Sequence, residues 1–511
     1  MIKQVCDIKL KVGVLLIGVE HQVYYEGPCR FGGGESLQPG FDRFANAQRH
    51  EAMVSHIREI LPAYCELLEP VHFTRTDAWE NREAQWIDMA ATVNEADVLF
   101  VAPSIGCDDI VIEFAGRFGK PMIIDPGLAF SGSSLVAAIR CRYPDYSIHS
   151  FVTWADAVNQ LKVFHAVKVI RNTNILLASR FGSNISFSSV DSFRSHDEIT
   201  RNLGVKFRYV NVHELLDCMS PASETGNHTT PGRETFNITE ADMEEVRQLA
   251  DELTAGAADV TVQRKYLENS LKAYVTVKKY MDRLDCNAFS IPCPDVCSTR
   301  RLNEMKFTFC LTHSLLTEQG IPSTCEYDVN AALSEQVLIA ISGMRPFMGN
   351  TWPIVTDHGK IVPSVYPNPE DIEDLEKDPE NLYFMQHSVP HRKMRGGEEL
   401  APYALRYFAY DQKFGAVMRY DFSRDAGQKI TCCRFSPDGK KLFIGTGTIV
   451  KGGGFENINC NNAVYFRVNN QSDFFEKQCN VGNHLTMVFG DYSKELIKLT
   501  KELGIEAIVA E

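Results

Sequence analysis

Two distant segments carry side chains whose types suit a metal-assisted acid/base site. Glu326 and Asp328 stand two residues apart, directly before an apolar stretch at 329–343 that predicts a helix. His484 stands in a glycine turn, Gly482-Asn-His. Carboxylates and imidazoles are common ligands of divalent metals, and a bound metal stabilises negative charge that develops beside it. These residues therefore predict a metal site assembled from separate parts of the chain.

The same residues also fit ordinary structural roles. Acidic side chains at the start of a helix are stabilised by the positive end of its dipole, which would explain Glu326 and Asp328 without a ligand. A histidine in a glycine turn, such as His484, is often structural as well. The residue pattern alone leaves both interpretations open, so the elements that carry these residues have to be considered.

The bulk properties narrow the class of protein. The chain has 511 residues, 44% of them hydrophobic, which is enough for about two to four domains with their own cores. Its net charge of −14 argues against nucleic acid or an anionic membrane surface as a partner. No apolar run approaches the roughly 20 residues of a membrane span, and the N-terminal residues lack an apolar signal core. We expect a cytoplasmic protein whose 15 cysteines are free thiols.

The order of apolar runs and helical stretches predicts an α/β fold. Continuous apolar runs are typical of strands buried on both faces, and helical stretches near 45–62 and 78–95 separate the first of them. Such alternation indicates a parallel sheet. After residue 345 short strands and turns dominate, which indicates a mostly antiparallel third domain. The predicted strands of the two α/β regions are 12–20, 98–103, 121–126, 174–180, 206–211 and 287–292.

Several short segments resemble, in order and approximate spacing, the L-fucose isomerase family and more distantly the L-arabinose isomerases. They lie in the middle and C-terminal parts of the chain. The segments are Gly320–Leu333, Arg345–Asn350, His387–Pro390, Cys460–Arg467 and Gly482–Asp491.

The resemblance implies an architecture and an activity. It implies two Rossmann-like parallel-sheet domains, assigned here to 1–172 and 173–345, followed by a β-rich, mostly antiparallel C-terminal domain at 346–511. It also implies an aldose–ketose isomerase that uses Mn²⁺ or another divalent cation. The implied assembly is a homotrimer or homohexamer, in which the N-terminal domain of a neighbouring subunit closes the site.

The resemblance also implies roles for individual residues. Glu326, in the second domain, would be a metal ligand and the catalytic base. His484 in the third domain would be a metal ligand, and His387 would be a metal ligand or would contact a sugar hydroxyl. His391 and Arg30 are further candidates for binding the sugar.

One position departs from the family pattern. Asn350 stands at or beside the place of a second acid, and an amide coordinates a metal only weakly and cannot act as a base near neutral pH. Three explanations stay open. Asp357 reaches the metal from a shifted loop as the second catalytic acid. Asp328 supplies the second carboxylate, although alternation along an extended segment favours a supporting role for it. Or the proton shuttle differs, and the reaction with it.

These residues suit the chemistry of sugar isomerisation. Interconversion of an aldose and a ketose through a cis-enediol needs a base for the proton that moves between C1 and C2. It also needs positive charge beside O1 and O2. We therefore predict a metal-dependent aldose–ketose isomerase acting on a free sugar. The alternatives are an epimerase or lyase that uses the same metal on a sugar derivative, and a non-catalytic sugar-binding protein.

Overall fold

Two compact units make up the chain in the computed structural model. One comprises Cys6–His165, and the other comprises Ala166–Glu511 together with Met1–Val5. The structure describes residues 2–20, 40–76, 81–104, 106–179, 196–293, 296, 300–362, 368–397 and 399–510.

The unit Cys6–His165 is built on a six-stranded parallel sheet. Its strands are β1 (Leu10–Glu20), β2 (Cys65–Leu67), β3 (Val71–Thr76), β4 (Val98–Pro103), β5 (Met122–Ile124) and β6 (Ile148–Ser150). They run in the order β2-β1-β4-β5-β6, and β3 also pairs with β1. Its helices are Phe41–Ile60, Arg82–Glu95, Asp108–Phe118, Ala129–Arg142 and Trp154–Arg171, the last of which continues into the second unit. The predicted apolar runs at 12–20, 98–103 and 121–126 are strands β1, β4 and β5, buried as expected.

The second unit begins with an α/β region. The strands of this region are β7 (Asn174–Ser179), β8 (Lys206–Asn211), β9 (Asp259–Val260), β10 (Ala288–Ile291) and β11 (Ser323–Cys325). Four of them form a parallel sheet in the order β11-β10-β7-β8. The helices are His196–Leu203, Val212–Asp217, Ala222–Thr225, Glu240–Gly256, Arg264–Arg283, Arg300–Met305, Cys310–Glu318 and Val329–Ser342. The short strand β11 therefore leads directly into the turn that carries Glu326.

The C-terminal part, residues 346–511, is built around a barrel-like antiparallel sheet, and its described residues contain eleven strands in all. Its strands are β12 (Phe347–Pro353), β13 (Thr356–Asp357), β14 (Lys360–Ile361), β15 (Leu382–His387), β16 (Tyr403–Tyr407), β17 (Ala416–Tyr420), β18 (Lys429–Phe435), β19 (Lys441–Gly453), β20 (Asn462–Arg467), β21 (His484–Phe489) and β22 (Glu506–Val509). Six of them pair in the order β18-β21-β12-β15-β20-β19, and pairing of β18 with β19 closes the ring. The helices are Ile372–Leu375, Gln471–Gln478 and Ser493–Leu503. Both predicted histidine ligands lie on this ring, at the end of β15 and the start of β21.

Smaller pairings complete the second unit. β22 pairs in parallel with β19, β13 pairs with β14 in a separate hairpin, and β16 pairs with both β17 and β9. The predicted fold class, two parallel-sheet α/β regions followed by a mostly antiparallel β-rich region, is confirmed. The domain boundaries at 172 and 345 stay predictions. Within the described part of the chain, no helix combines the length and apolar character needed to span a membrane.

Candidate functional site

Three separate segments of the second unit bring one carboxylate and two imidazoles together. Glu326 follows β11, His387 ends β15, and His484 begins β21. Nε2 of His387 lies 3.4 Å from Oε1 of Glu326, and Nε2 of His484 lies 3.1 Å from Oε2. The two imidazole ring centroids are 5.8 Å apart. All three residues are buried, so the predicted ligands form one cluster shielded from water.

The backbone around Glu326 adopts an unusual conformation. Glu326 and Tyr327 have φ angles of 64° and 62°, in the left-handed region that favours glycine. Each such residue costs of order 1–3 kcal/mol and persists only where its surroundings hold it. The amide of Tyr327 donates to the carbonyl of Ile291 (3.0 Å), and the Asp328 side chain caps the helix that starts at Val329. The strained turn is thereby fixed between a strand end and a helix start.

Apart from their imidazole–carboxylate contacts at 3.1 and 3.4 Å, the facing atoms of this cluster have no hydrogen-bond partner among the residues that the structure describes. They are Oε2 of Glu326, both ring nitrogens of His387 and Nε2 of His484. A buried polar atom left without a partner costs about 1–3 kcal/mol, and such atoms are rare in native proteins. The thiol of Cys325 and the donors of Glu326 and His387 also lie within 4.8 Å of one another. Converging carboxylate, imidazole and thiol donors fit a divalent transition metal.

A second layer of charged groups orients His484. Its Nδ1 lies 2.7 Å from Oδ2 of Asp328, which leaves Nε2 facing Glu326. Nη1 of Arg434 on β18 donates to both oxygens of Asp328, at 2.8 and 2.7 Å, and to the His484 carbonyl at 3.0 Å. A carboxylate behind a histidine ligand fixes its tautomer and its ring orientation. Asp328 therefore holds the supporting position that the alternation in the sequence favoured.

The carboxylate and imidazoles of the cluster shift one another's pKa values. Burial alone would raise the pKa of Glu326, but His484 and His387 outweigh it and hold this pKa well below its usual range. Burial likewise opposes the charged form of His484, yet Glu326 and Asp328 raise the pKa of its imidazole to about 9. Near neutral pH Glu326 is therefore ionised and the His484 imidazole carries a proton, which a bound metal would have to displace.

The structure places Asn350 beside this cluster and Asp357 away from it. Asn350 on β12 pairs directly with His484 on β21, and its Oδ1 accepts a hydrogen bond from Nδ2 of Asn483 at 2.8 Å. Its role as a metal ligand stays a prediction. The Asp357 side chain is 75% exposed, and its Oδ1 lies 3.6 Å from Nε2 of His358. The expectation that a shifted loop carries Asp357 to the metal stays a prediction, and the pairing of β13 with β14 in their own hairpin does not support it.

The two predicted sugar-binding residues outside the cluster have different outcomes. His391 is fully buried, its Nε2 donates to the carbonyl of Pro346 (3.1 Å), and its Nδ1 accepts from the amide of Lys393 (3.2 Å). Burial lowers the pKa of His391 to about 4, so the ring is neutral. Because both ring nitrogens are engaged, a sugar contact does not fit His391. Arg30 lies outside the described residues.

Two arginines that the sequence pattern did not predict, Arg419 on β17 and Arg434 on β18, are buried in this region. Both are among the largest fully buried side chains described. Neither strand offered a local signal, because an arginine within an alternating strand is usually assigned to the solvent side.

A comparison with known proteins finds a distant sugar isomerase. The chain is 28% identical over 191 residues to a sulfoquinovose isomerase from Alkalicoccus urumqiensis. The match spans 37% of this chain and 37% of that protein, so it covers little more than a third of the relative's length. No protein-family model matches the chain. The similarity concerns sugar isomerases in general, and the closer resemblance to the L-fucose isomerase family stays a prediction.

Proposed function

We propose that this protein is a metal-dependent sugar isomerase that interconverts an aldose and a ketose through a cis-enediol. One observation carries the proposal: Glu326, His387 and His484 turn unpartnered, buried donor atoms toward one another, and Asp328 orients one of the two imidazoles. The distant similarity to a sulfoquinovose isomerase supports a sugar as the substrate.

The donor set suits Mn²⁺ or a related divalent cation. Glu326, His387 and His484 would hold the ion, and Asn350 is a candidate for a fourth ligand. When bound, the ion would supply positive charge beside O1 and O2 of the sugar, where negative charge develops during isomerisation. Asp328 and Arg434 keep the His484 ring aligned and its Nδ1 proton in place.

Two groups of the cluster are available to move protons. We assign Glu326 as the base that takes the proton from the sugar carbon, because it is ionised and lies at the centre of the cluster. His387 is the second candidate, since both of its ring nitrogens lack a hydrogen-bond partner among the described residues and one of them can face a sugar hydroxyl. Asp357 has no part in this proposal.

The test is proton NMR in deuterated water with Mn²⁺, chelated before the spectra are recorded. The sugars are a panel of aldoses and ketoses that includes sulfoquinovose. We expect deuterium at C2 of the aldose together with ketose formation. Glu326→Gln should lower the rate by roughly 10⁴-fold, in the range that loss of an essential base produces.

Glu335→Gln is the matched control for this substitution. Glu335 is also fully buried, lies on the helix Val329–Ser342, and accepts a hydrogen bond from the Ser323 amide (2.9 Å), which a glutamine can replace. Burial raises the pKa of Glu335 well above its usual range, which favours the uncharged carboxyl that glutamine resembles. Equal losses in both variants, or full activity in Glu326→Gln, would refute the assignment.

The same spectra separate the other candidate functions. Exchange at C2 without ketose would indicate an epimerase or lyase that shares the metal. Sugar binding without exchange would indicate a non-catalytic binding protein. The proposed homotrimer or homohexamer is tested separately by light scattering of the purified protein.

A further inference from the structure

Arg419 is a buried arginine with no acidic partner among the residues that the structure describes. Its side chain has no exposure to solvent, and its Nη2 donates to the carbonyl of Asn459 at 2.5 Å. Its Nε and Nη1 have no hydrogen-bond partner in the described part of the chain. Burial lowers the pKa of Arg419 to about 10, so the guanidinium still carries its charge near neutral pH.

The other well-buried arginines of this unit all meet carboxylates. Arg392 contacts Glu318 at 2.6 Å, and Arg434 contacts Asp328 at 2.7 Å. Arg406 contacts both Asp259 and Glu456. An unpaired buried charge carries a large desolvation penalty, which a nearby carboxylate offsets in these three cases. Arg419 is the exception among them, which indicates that its counter-charge comes from a ligand.

Arg419 lies near the proposed metal centre. It is close enough to the thiols of Cys310 and Cys460 to interact with both electrostatically. Oγ of Ser388 lies 3.2 Å from the Cys310 sulfur and 3.6 Å from the Cys460 sulfur, and Ser388 directly follows the predicted ligand His387. One buried group of residues therefore connects the guanidinium to the cluster.

Asn462 links the backbone next to Arg419 to the strand that carries His387. The side chain of Asn462 accepts from the amide of Tyr420 (2.8 Å) and donates to its carbonyl (2.9 Å), directly after Arg419. Asn462 also pairs with His387 across strands β15 and β20. The Asn462 side chain thus ties the backbone next to Arg419 to β20, the strand that pairs with the strand of His387.

We propose that Arg419 binds a singly charged anionic substituent, a sulfonate or a carboxylate, on the sugar that the metal centre isomerises. The proposal rests on the proposed function and names its substrate class. One guanidinium with two unpartnered nitrogens matches one negative charge through charge-assisted hydrogen bonds. A phosphate monoester, with a charge near −1.5 to −2 at pH 7, would remain partly uncompensated.

The test compares substrates that differ only at the charged group: a 6-deoxy-6-sulfohexose, a hexuronate, a hexose 6-phosphate and a neutral 6-deoxyhexose. For the wild type we expect kcat/KM to favour the sulfonate or carboxylate sugar by roughly 100-fold over the neutral one, as expected for a desolvated charge pair. Arg419→Met should remove this preference, so that the ratio of kcat/KM for the charged sugar to that for the neutral sugar falls to about one. The matched control, Arg419→Lys, should keep part of the preference.

A binding measurement makes the test independent of turnover. The thermal midpoint of the wild type should rise with methanesulfonate but not with dimethyl sulfone, its uncharged analogue, and Arg419→Met should not respond to either. Without added anion, Arg419→Met should be at least as stable as the wild type, because it removes an unpaired buried charge.

The outcomes distinguish the two proposals. Turnover without any anion preference, or equal losses on charged and neutral sugars in Arg419→Met, would overturn the anion site while the isomerase proposal stands. No turnover of any sugar by the wild type would refute the proposed function, and the methanesulfonate response would still decide whether Arg419 binds anions.

Discussion

Two buried histidines four residues apart, His387 and His391, belong to clusters of opposite character. His391 uses both ring nitrogens within the protein, and its neighbour Arg392 is bound by Glu318. The Arg392 amide, Nε and Nη2 donate four hydrogen bonds to the two oxygens of Glu318, at 2.6–3.2 Å. We call Glu318, His391 and Arg392 the closed cluster, because each of their charged groups has its partner.

The open cluster, Glu326, His387 and His484, also combines a buried glutamate with buried histidine, but its polar atoms are not satisfied in that way. Its atoms face one another at 3.1 and 3.4 Å but lack hydrogen-bond partners among the described residues. The comparison teaches that burial and residue type alone do not separate a structural cluster from a candidate site. The separating property is whether the polar atoms are already satisfied by the protein.

The largest expected difference between the closed and the open cluster is in how much a substitution lowers the free energy of unfolding. Glu318→Gln removes the main partner of Arg392 and should lower the free energy of unfolding by about 3–5 kcal/mol, the usual result of breaking a buried ion pair. Glu326→Gln should lower it by less than Glu318→Gln does, because the imidazole nitrogens lie 3.4 and 3.1 Å from the Glu326 oxygens, farther than the 2.6 Å between Arg392 and Glu318. Urea unfolding of both variants checks this. Similar losses in the two would show that the open cluster is structural after all.

The next effect should be on metal binding. Asp328→Asn keeps a helix-capping side chain but removes the charge behind His484, so the Kd for Mn²⁺ should rise about 10- to 100-fold. Isothermal titration calorimetry measures it. Glu318→Gln, studied below its unfolding range, serves as the control and should leave the Kd unchanged. An unaltered Kd in Asp328→Asn would mean that the carboxylate does not act through His484.

A pH effect should follow from the closed cluster. The pKa of His391 is lowered from 6.5 to about 4, so below pH 6.5 the unfolded chain takes up a proton that the folded chain does not. Proton uptake by His391 in the unfolded chain therefore lowers the stability of the folded state as the pH falls from 6.5 toward 4. The loss of stability amounts to about 2 kcal/mol between pH 7 and pH 5, from 1.36 kcal/mol per pKa unit. His391→Gln should reduce the pH dependence of the urea midpoint by that amount, and an unchanged dependence would contradict the assignment.

The smallest effect should come from Asp357. Its carboxylate is exposed in the hairpin of β13 and β14, so Asp357→Asn should leave kcat/KM within about twofold and the urea midpoint unchanged. Steady-state kinetics on the substrate found by NMR checks this. A loss of 100-fold or more would restore Asp357 as the second catalytic acid and would require the hairpin to move toward the open cluster.

Much of the fold could be predicted from local sequence, because buried parallel strands are continuous apolar runs. The strand predicted at 174–180 is β7, which is buried along almost its whole length, and the helix predicted at 329–343 is Val329–Ser342. Closure of the ring could not be predicted. It depends on β18 pairing with β19 while β18 also pairs with β21, and no local pattern specifies which distant edges meet.

Some residues of the candidate site could likewise be predicted from the sequence, and others could not. Glu326 and Asp328 stand in a recognisable turn between strand and helix, so their neighbourhood was predictable. The burial of Arg434 and Arg419 was not, because it depends on what covers their strands. Asn350 was identified as a departure, but only the structure shows its amide bound to Asn483 and Asp357 held in a separate hairpin.

The distance along the chain between Asp328 and His484 has a consequence for the timing of assembly. The two residues are 156 positions apart, although their side chains lie 2.7 Å from each other. At a synthesis rate of roughly 5–20 residues per second, the carboxylates are made about 8–30 s before the second imidazole. During that interval neither α/β region holds a complete set of donors. Uptake of the ion would therefore follow ring closure by the last strands, and it would mark a chain that has finished folding.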